Sequence, residues 1–258
     1  MRFIDIAYVR APEGFAELVA AAEKDEDNIK NHSGVWRACK PFLKGASYDK
    51  CYYCEMKDLR SDGAVDHYRP KSKYIWAAYR LDNFRFSCTF CNSRRSDPQT
   101  GEVRGKGDVF PLFEGSSIAM CIEDICNEFP ILLDPCKAGD PGAIDFRGDG
   151  IALPRSNEDT DPQWRRAAES IEAYHLNHSE LVEARRCIAI EIQEKVGELE
   201  RALLRRQHGD VGASETCDAA VRDLARRLQP SAELSVFSKR VLQAYRSKSF
   251  IDDILATA

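Results

Sequence analysis

The sequence predicts an α+β protein, mostly helical, with a small cysteine-stapled module of short strands set between helical segments. Three observations predict it. Two Cys-x-x-Cys pairs, Cys51/Cys54 and Cys88/Cys91, bracket a stretch rich in aromatics. Over residues 58–111 the chain breaks into short apolar pieces separated by Gly and Pro, the texture of a loop-rich module with short strands. From Ser179 to Gln207, Leu181, Ile188, Ile192, Val196, Leu199 and Leu203 recur at helical steps.

Each element follows in order. Residues 12–44 read as helical, with Pro12 tolerated in a first turn and Phe15, Leu18 and Val19 at helical spacing. A second helical segment there includes Val35, Trp36 and Phe42. Within "ILLDPCKAGDPGAIDFRGDGIALP" several Asp-Pro, Asp-Gly and Pro-Gly turns separate strand candidates at 131–133, 143–146 and 151–153. After Pro162 the pattern is helical nearly to the end. In the 179–207 segment Arg185, Arg186, Glu194 and Glu198 lie mostly off the apolar stripe. Such a stripe is usually core, and the alternative is a partner or homodimer interface. Gly209 and Gly212 break this helix, and two more helical segments follow at 217–228 and 234–245. The expected organisation is a helical segment over 1–50, the cysteine module over 51–107, and a turn-rich connector with a helical region over 108–258.

At 258 residues the chain can bury a substantial core. The opening "MRFIDIAYVR" places Asp5 inside its apolar run and shows no small-residue cleavage pattern, so it does not read as a signal peptide. No run approaches the roughly 20 apolar residues of a membrane span. The expectation is a cytoplasmic protein, in which paired cysteines suggest metal or catalysis more than disulfides. The net charge of −5 excludes a generic polyanion binder. Over residues 51–106, however, eleven Lys and Arg face seven Asp and Glu, which leaves −9 on the remainder. A basic island in an acidic chain fits a small nucleic-acid contact as well as it fits chance.

The four paired cysteines make C-x2-C, a gap, and C-x2-C. Two residues between cysteines let both thiolates of a turn face one ion, and two such turns close a tetrahedral zinc site. A closed four-sulfur site is structural and leaves no position for an activated water. It pins its neighbours Glu55 and Asn92. Cys39, Cys121, Cys126, Cys136, Cys187 and Cys217 lie outside the pattern and read as small hydrophobes.

Between the two pairs lies "VDHYRP". Val65 reads as the end of a short strand, so Asp66 and His67 point to opposite faces unless a bend intervenes. Asn83 occupies a turn-prone spot before a second short strand through Phe86. Asn92, followed by "SRR", reads as the cap that starts a helix.

Asp-His, an asparagine about sixteen residues on, and then Cys-x-x-Cys-Asn resemble the HNH endonuclease motif on a ββα-metal fold. Asn92 stands at the third position, often histidine, which makes an H-N-N variant. The resemblance implies that His67 is the general base, that Asn83 orients it by bridging the loop, and that Asp66 and Asn92 hold a divalent ion. The chemistry agrees. A neutral histidine near its unperturbed pKa of about 6.5 can take a proton from water at physiological pH. Asp66 and Asn92 both offer oxygen, a hard donor set that suits Mg²⁺ or Mn²⁺ over zinc or nickel. Arg69, Lys71, Lys73, Arg94 and Arg95 are close in sequence and could hold phosphates, although each alone is more often a solvated surface charge. The competing reading makes His67 a core histidine in a zinc module that binds nucleic acid without cutting it.

"CYYCE", "DHYRPK", the Trp76 region, "CNSRRSD", "LLDPC" and "IEAYHLNHSELVEARR", together with the N-terminal part around Trp36, resemble the PtuB-like HNH nucleases of Septu and retron-associated antiphage defence systems. That resemblance implies an effector working with a PtuA-like ATPase of the ABC or SMC type. The chain carries no G-x-x-x-x-G-K-[ST] loop of its own, so nucleotide control would come from another subunit. Three functions stay open: a metal-dependent DNA endonuclease, an endonuclease acting on RNA such as tRNA, and a non-catalytic zinc-binding adaptor.

Overall fold

The computed structural model describes residues 1–57 and 61–256. The chain folds into two compact units, Met1–Ile144 with Leu153–Asn177, and Asp145–Ala152 with His178–Ala258. The expected boundaries at 50 and 107 both fall inside the first.

Helix α1 spans Phe15–Ala22 and starts later than Pro12, because Gly14 in front of it adopts φ +73° and separates a preceding turn from the helix. The two helical segments expected within 12–44 are separated over Glu23–His32, where Asp25 and Asn28 leave helical geometry. Their side chains explain it: Asn28 Nδ2 donates to Asp25 Oδ1 at 2.8 Å, and His32 pairs with Oδ2 at 3.0 Å, local bonds that compete with a helical ladder. Helix α2, Gly34–Ala46, buries Val35, Cys39 and Leu43, one residue every four on a single stripe. Cys39, Leu43 and Tyr52 pack in one core cluster with Phe84 and Phe86. Leu18 and Phe42, at helical spacing, stay exposed.

Strands β1, Ala64–His67, and β2, Phe84–Ser87, form an antiparallel pair with Asp66 opposite Arg85 and His67 opposite Phe84. All four β2 residues are buried. Arg85 is tolerated there because its guanidinium forms a bidentate pair with Asp134 at 2.8 and 2.7 Å and also donates to Asp82 O and Phe84 O. A single helical turn α3, Thr89–Asn92, follows, then a short pair, β3 (Arg95–Ser96) with β4 (Val103–Arg104).

The strand expected at 131–133 is absent, although Ile131, Leu132 and Leu133 are fully buried. Ile131 N–H donates to Pro111 O at 3.0 Å, and side chains satisfy Leu132 and Leu133 where a neighbouring strand would otherwise do so. Ser170 Oγ accepts from Leu133 N–H at 2.7 Å, Tyr174 donates to Leu133 O at 2.8 Å, and Tyr68 donates to Leu132 O at 2.7 Å. The other two candidates form strands β5, Ile144–Phe146, and β6, Ala152–Pro154. Helix α4, Pro162–Ala173, is capped by Asp161, which accepts from Gln163 N–H at 2.8 Å.

In the second unit, helix α5 spans Ser179–Gln207. Leu181, Ile188, Ile192, Val196 and Leu199 are buried, so the stripe is core within this unit. Ala202 closes the stripe, and Leu203 is only half-buried. Arg185, expected off it, is also buried. Its Nη1 donates to Gly150 O at 3.0 Å and its guanidinium lies 4.9 Å from the Phe146 ring. Helices α6 (Ala213–Leu228) and α7 (Ser235–Gln243) follow as expected, and an unexpected α8, Ser249–Leu255, buries Ile251, Ile254 and Leu255. Among the described residues no helix is long and apolar enough to cross a membrane.

Candidate active site

The sulfurs of Cys51, Cys54, Cys88 and Cys91 lie within 4.8 Å of one another, and all four residues are buried. Cys54 Sγ and Cys88 Sγ are 3.8 Å apart. Tetrahedral zinc with Zn–S bonds of about 2.3 Å separates its sulfurs by about 3.8 Å, the spacing of the Cys54–Cys88 pair, so the cluster could hold a metal ion such as zinc. The backbone sets this geometry. Cys51 N–H donates to Met56 O at 2.8 Å and Glu55 N–H to Cys51 O at 3.0 Å, with Glu55 at φ +65°. Tyr52 N–H donates to Phe86 O at 2.9 Å, which fastens the first knuckle to β2. Cys88 precedes α3 and Cys91 lies inside it, so one helical turn carries the second knuckle.

Beside the second knuckle is a cleft of about 240 Å³ whose lining includes Asp66, His67, Lys71, Asn92 and Asp108. His67 is buried with its ring edge-on to Trp36 and Phe84, at centroid distances of 5.0 and 5.1 Å. Its Nε2 lies 2.9 Å from Ala78 O. A carbonyl only accepts, so Nε2 carries the proton and the lone pair resides on Nδ1. Burial, assisted by the nearby Lys71 ammonium, lowers the His67 pKa to about 3. The expected value near 6.5 is therefore corrected: the ring is neutral throughout the physiological range because its packing excludes water.

Asp66 is also buried, and both its oxygens are engaged. Tyr53 donates to Oδ2 at 2.5 Å, and Lys106 Nζ donates to Oδ1 at 3.0 Å and to His67 O at 2.7 Å. Burial pushes the Asp66 carboxyl above the usual carboxylate range against the opposing pull of Lys106 and Tyr53. The Asp66 and His67 side chains thus have separate partners, as strand alternation expects, while both residues border the cleft.

Asn83 is outside the cleft lining. Its Oδ1 accepts from Arg69 N–H at 2.8 Å, and its Nδ2 donates to Arg69 O and Ala77 O at 3.0 Å each. It ties together the two ends of the loop that presents Ala78 O to His67. Asn92 needs correction: it ends α3 and does not cap the start of a helix. The extended backbone of Cys88 starts the turn, and Ser93, at φ −106° and ψ 146°, stops it before "SRR" can become helical. Asn92 O accepts from Gly107 N–H at 2.8 Å.

Of the five basic residues, only Lys71 lines the cleft, with its ammonium 5.4 Å from the Trp36 ring. Arg69 does not reach it. Its guanidinium donates to Glu128 at 2.6 Å and packs against Tyr68 and Phe110. Lys73, Arg94 and Arg95 are exposed outside the cleft lining. Sequence reasoning passed over Lys106 and Asp108. The available signal was the glycine pair around Lys106. Gly105 has φ +127°, and a Cβ there would come within 2.1 Å of Ser93 O. Only glycine lets the segment after β4 run against the cysteine knuckle and deliver the two charged residues.

The chain is similar to Septu protein PtuB. That protein, from Bacillus mycoides (strain KBAB4), is 26% identical over 199 residues, covering 70% of this chain and 62% of PtuB. The chain therefore matches less than two thirds of the length of PtuB. No family model matches the sequence.

Proposed function

We propose that this chain is a metal-dependent HNH-type endonuclease that hydrolyses phosphodiester bonds, with DNA as the substrate, and that it acts as the effector of a Septu-type antiphage defence complex in the cytoplasm beside a PtuA-like ATPase. The observation that carries the reading is the His67 geometry: a neutral imidazole with its proton fixed on Nε2 by Ala78 O, bordering a cleft with oxygen donors and a four-cysteine cluster. The similarity to PtuB supports the defence role.

In this reading His67 takes the proton of the attacking water on Nδ1. Its low pKa is raised by the anionic phosphate of a bound substrate, whose charge favours the imidazolium. Ala78 O accepts from Nε2–H throughout, so the ring does not turn as it gains a proton. Asn83 holds the loop that carries Ala78. Asp66 and Asn92 would hold Mg²⁺ or Mn²⁺ through their oxygens, and the ion would supply charge neutralisation for the hydrolysis. Lys71 attracts the phosphate at the rim, and Arg94 and Arg95 extend the positive charge along the nucleic-acid backbone. The cysteine cluster, as a structural zinc site, fixes Asn92 through Cys91.

The test is co-purification with the neighbouring ATPase, followed by cleavage of plasmid DNA and of RNA with Mg²⁺, with Mn²⁺ and with chelator. His67→Gln conserves volume and a donor for Ala78 O but removes the base. The expected result is metal-dependent cleavage of DNA leaving 5′-phosphates, abolished in His67→Gln. Undiminished cleavage by that variant overturns the mechanism. Cleavage confined to RNA moves the substrate assignment, and no cleavage of either leaves the zinc-binding adaptor.

A further inference from the structure

We propose that Asp108 supplies a further carboxylate ligand to the divalent ion in this cleft, the anionic one that it needs because Lys106 offsets the charge of Asp66. The inference rests on the nuclease reading of the cleft and adds a residue outside the Asp66–His67–Asn83–Asn92 set. Its starting point is charge. A divalent ion bound through one or two protein groups needs anionic oxygen among them. The Asp66 carboxylate is already matched by the fully buried Lys106 ammonium at 3.0 Å, so that pair presents no net charge to the cleft. The same ammonium repels a cation approaching Oδ1, and Tyr53 donates to Oδ2.

Asp108 differs in each respect. It lines the same cleft as His67 and Asn92, and among the described residues its carboxylate makes no hydrogen bond or ion pair. Lys71, the cationic side chain of the lining, has its ammonium over Trp36. The backbone that carries Asp108 is fixed to the cysteine knuckle. Lys106 N–H donates to Cys91 O at 2.9 Å, Gly107 N–H to Asn92 O at 2.8 Å, and Val109 N–H closes a turn onto Lys106 O at 2.9 Å. Asp108 is thus held beside Asn92, and an ion between Asp108 and Asn92 gains a full negative charge without displacing a buried ammonium.

Mn²⁺ binding to the full chain, with its zinc in place, measures this directly through loss of the free-ion EPR signal. The proteins are wild type, Asp108→Asn and Asp66→Asn, with zinc content and thermal midpoint recorded for each. Asp108→Asn is expected to weaken Mn²⁺ binding about tenfold or more, on the scale by which even outer groups around metal sites act, with zinc content and midpoint unchanged. Wild-type Mn²⁺ affinity in Asp108→Asn, with affinity lost in Asp66→Asn, overturns the inference and leaves the nuclease reading standing. A wild-type protein that neither binds Mn²⁺ nor cuts nucleic acid overturns both.

Discussion

Replacing Asn83 by alanine tests whether the loop behind His67 is held by one side chain. The amide makes three hydrogen bonds, all to backbone, at 2.8, 3.0 and 3.0 Å, from a buried position. Each such bond contributes roughly 1 kcal/mol net, and partners left buried without replacement raise the cost, so Asn83→Ala should destabilise by about 2–4 kcal/mol. Asn83→Asp is the sharper variant. It has the same shape and still accepts from Arg69 N–H, but its ionised carboxylate would face Arg69 O and Ala77 O with no donor. It should lose at least as much as alanine. The assay is urea unfolding, read together with amide hydrogen exchange at Arg69, whose N–H is the group Asn83 protects. Exchange there should accelerate in Asn83→Ala before the protein unfolds globally. Stability and Arg69 exchange equal to wild type would refute the bridging role, whatever happens to cleavage.

Three further outcomes are expected. Purified protein should carry about one zinc per chain, and Cys88→Ser should lose the metal and most of its folded yield; a folded, zinc-free Cys88→Ser protein removes the structural-zinc assignment. His67 is neutral down to about pH 3 in the folded protein against 6.5 in the unfolded chain, so its contribution to stability is complete above about pH 6.5 and is lost as pH falls toward 3, at up to about 1.4 kcal/mol per pH unit. The raised Asp66 carboxyl acts with the opposite sign but is common to wild type and His67→Gln, so urea unfolding at pH 5 and 7 should show a steeper pH dependence in wild type; equal slopes refute the burial argument. Asn92→His should shift metal preference in cleavage from Mg²⁺ or Mn²⁺ toward Ni²⁺ or Co²⁺, since imidazole favours the later metals; an unchanged preference places Asn92 outside the ion's reach.

The sequence by itself determined the elements whose cause is local. Helix α5 was legible from end to end because a 29-residue amphipathic pattern leaves few alternatives. The cysteine cluster was legible because two residues between cysteines is a geometric requirement of a shared ion, and the four sulfurs converge as the spacing demanded. The turn holding Asn83 and the strand after it were legible from local residue preferences, whereas β1, read as ending at Val65, runs on through His67. Helix α8 was not, since seven residues carry too little periodicity.

Only the tertiary structure decided what the charged and polar groups do, because their partners lie far away in the chain. Arg69 looked like a phosphate ligand until Glu128, 59 residues on, took its guanidinium. Residues 131–133 have the composition of a strand, but Ser170, Tyr174 and Tyr68 satisfy their backbone from the side, and no local pattern encodes that. His67 has the ordinary histidine pKa in any sequence-level account. Its fall to about 3 comes from Trp36 and Phe84 closing over the ring and from Lys71 nearby, a desolvation that exists only once α2 and β2 have packed. Lys106, forty residues from Asp66, decides whether that carboxylate can act as an anion at all. Spacing along a chain fixes geometry over a turn or a helix. The sign and strength of a field at one atom depend on every charge and every excluded water around it, and those are set only when distant segments meet.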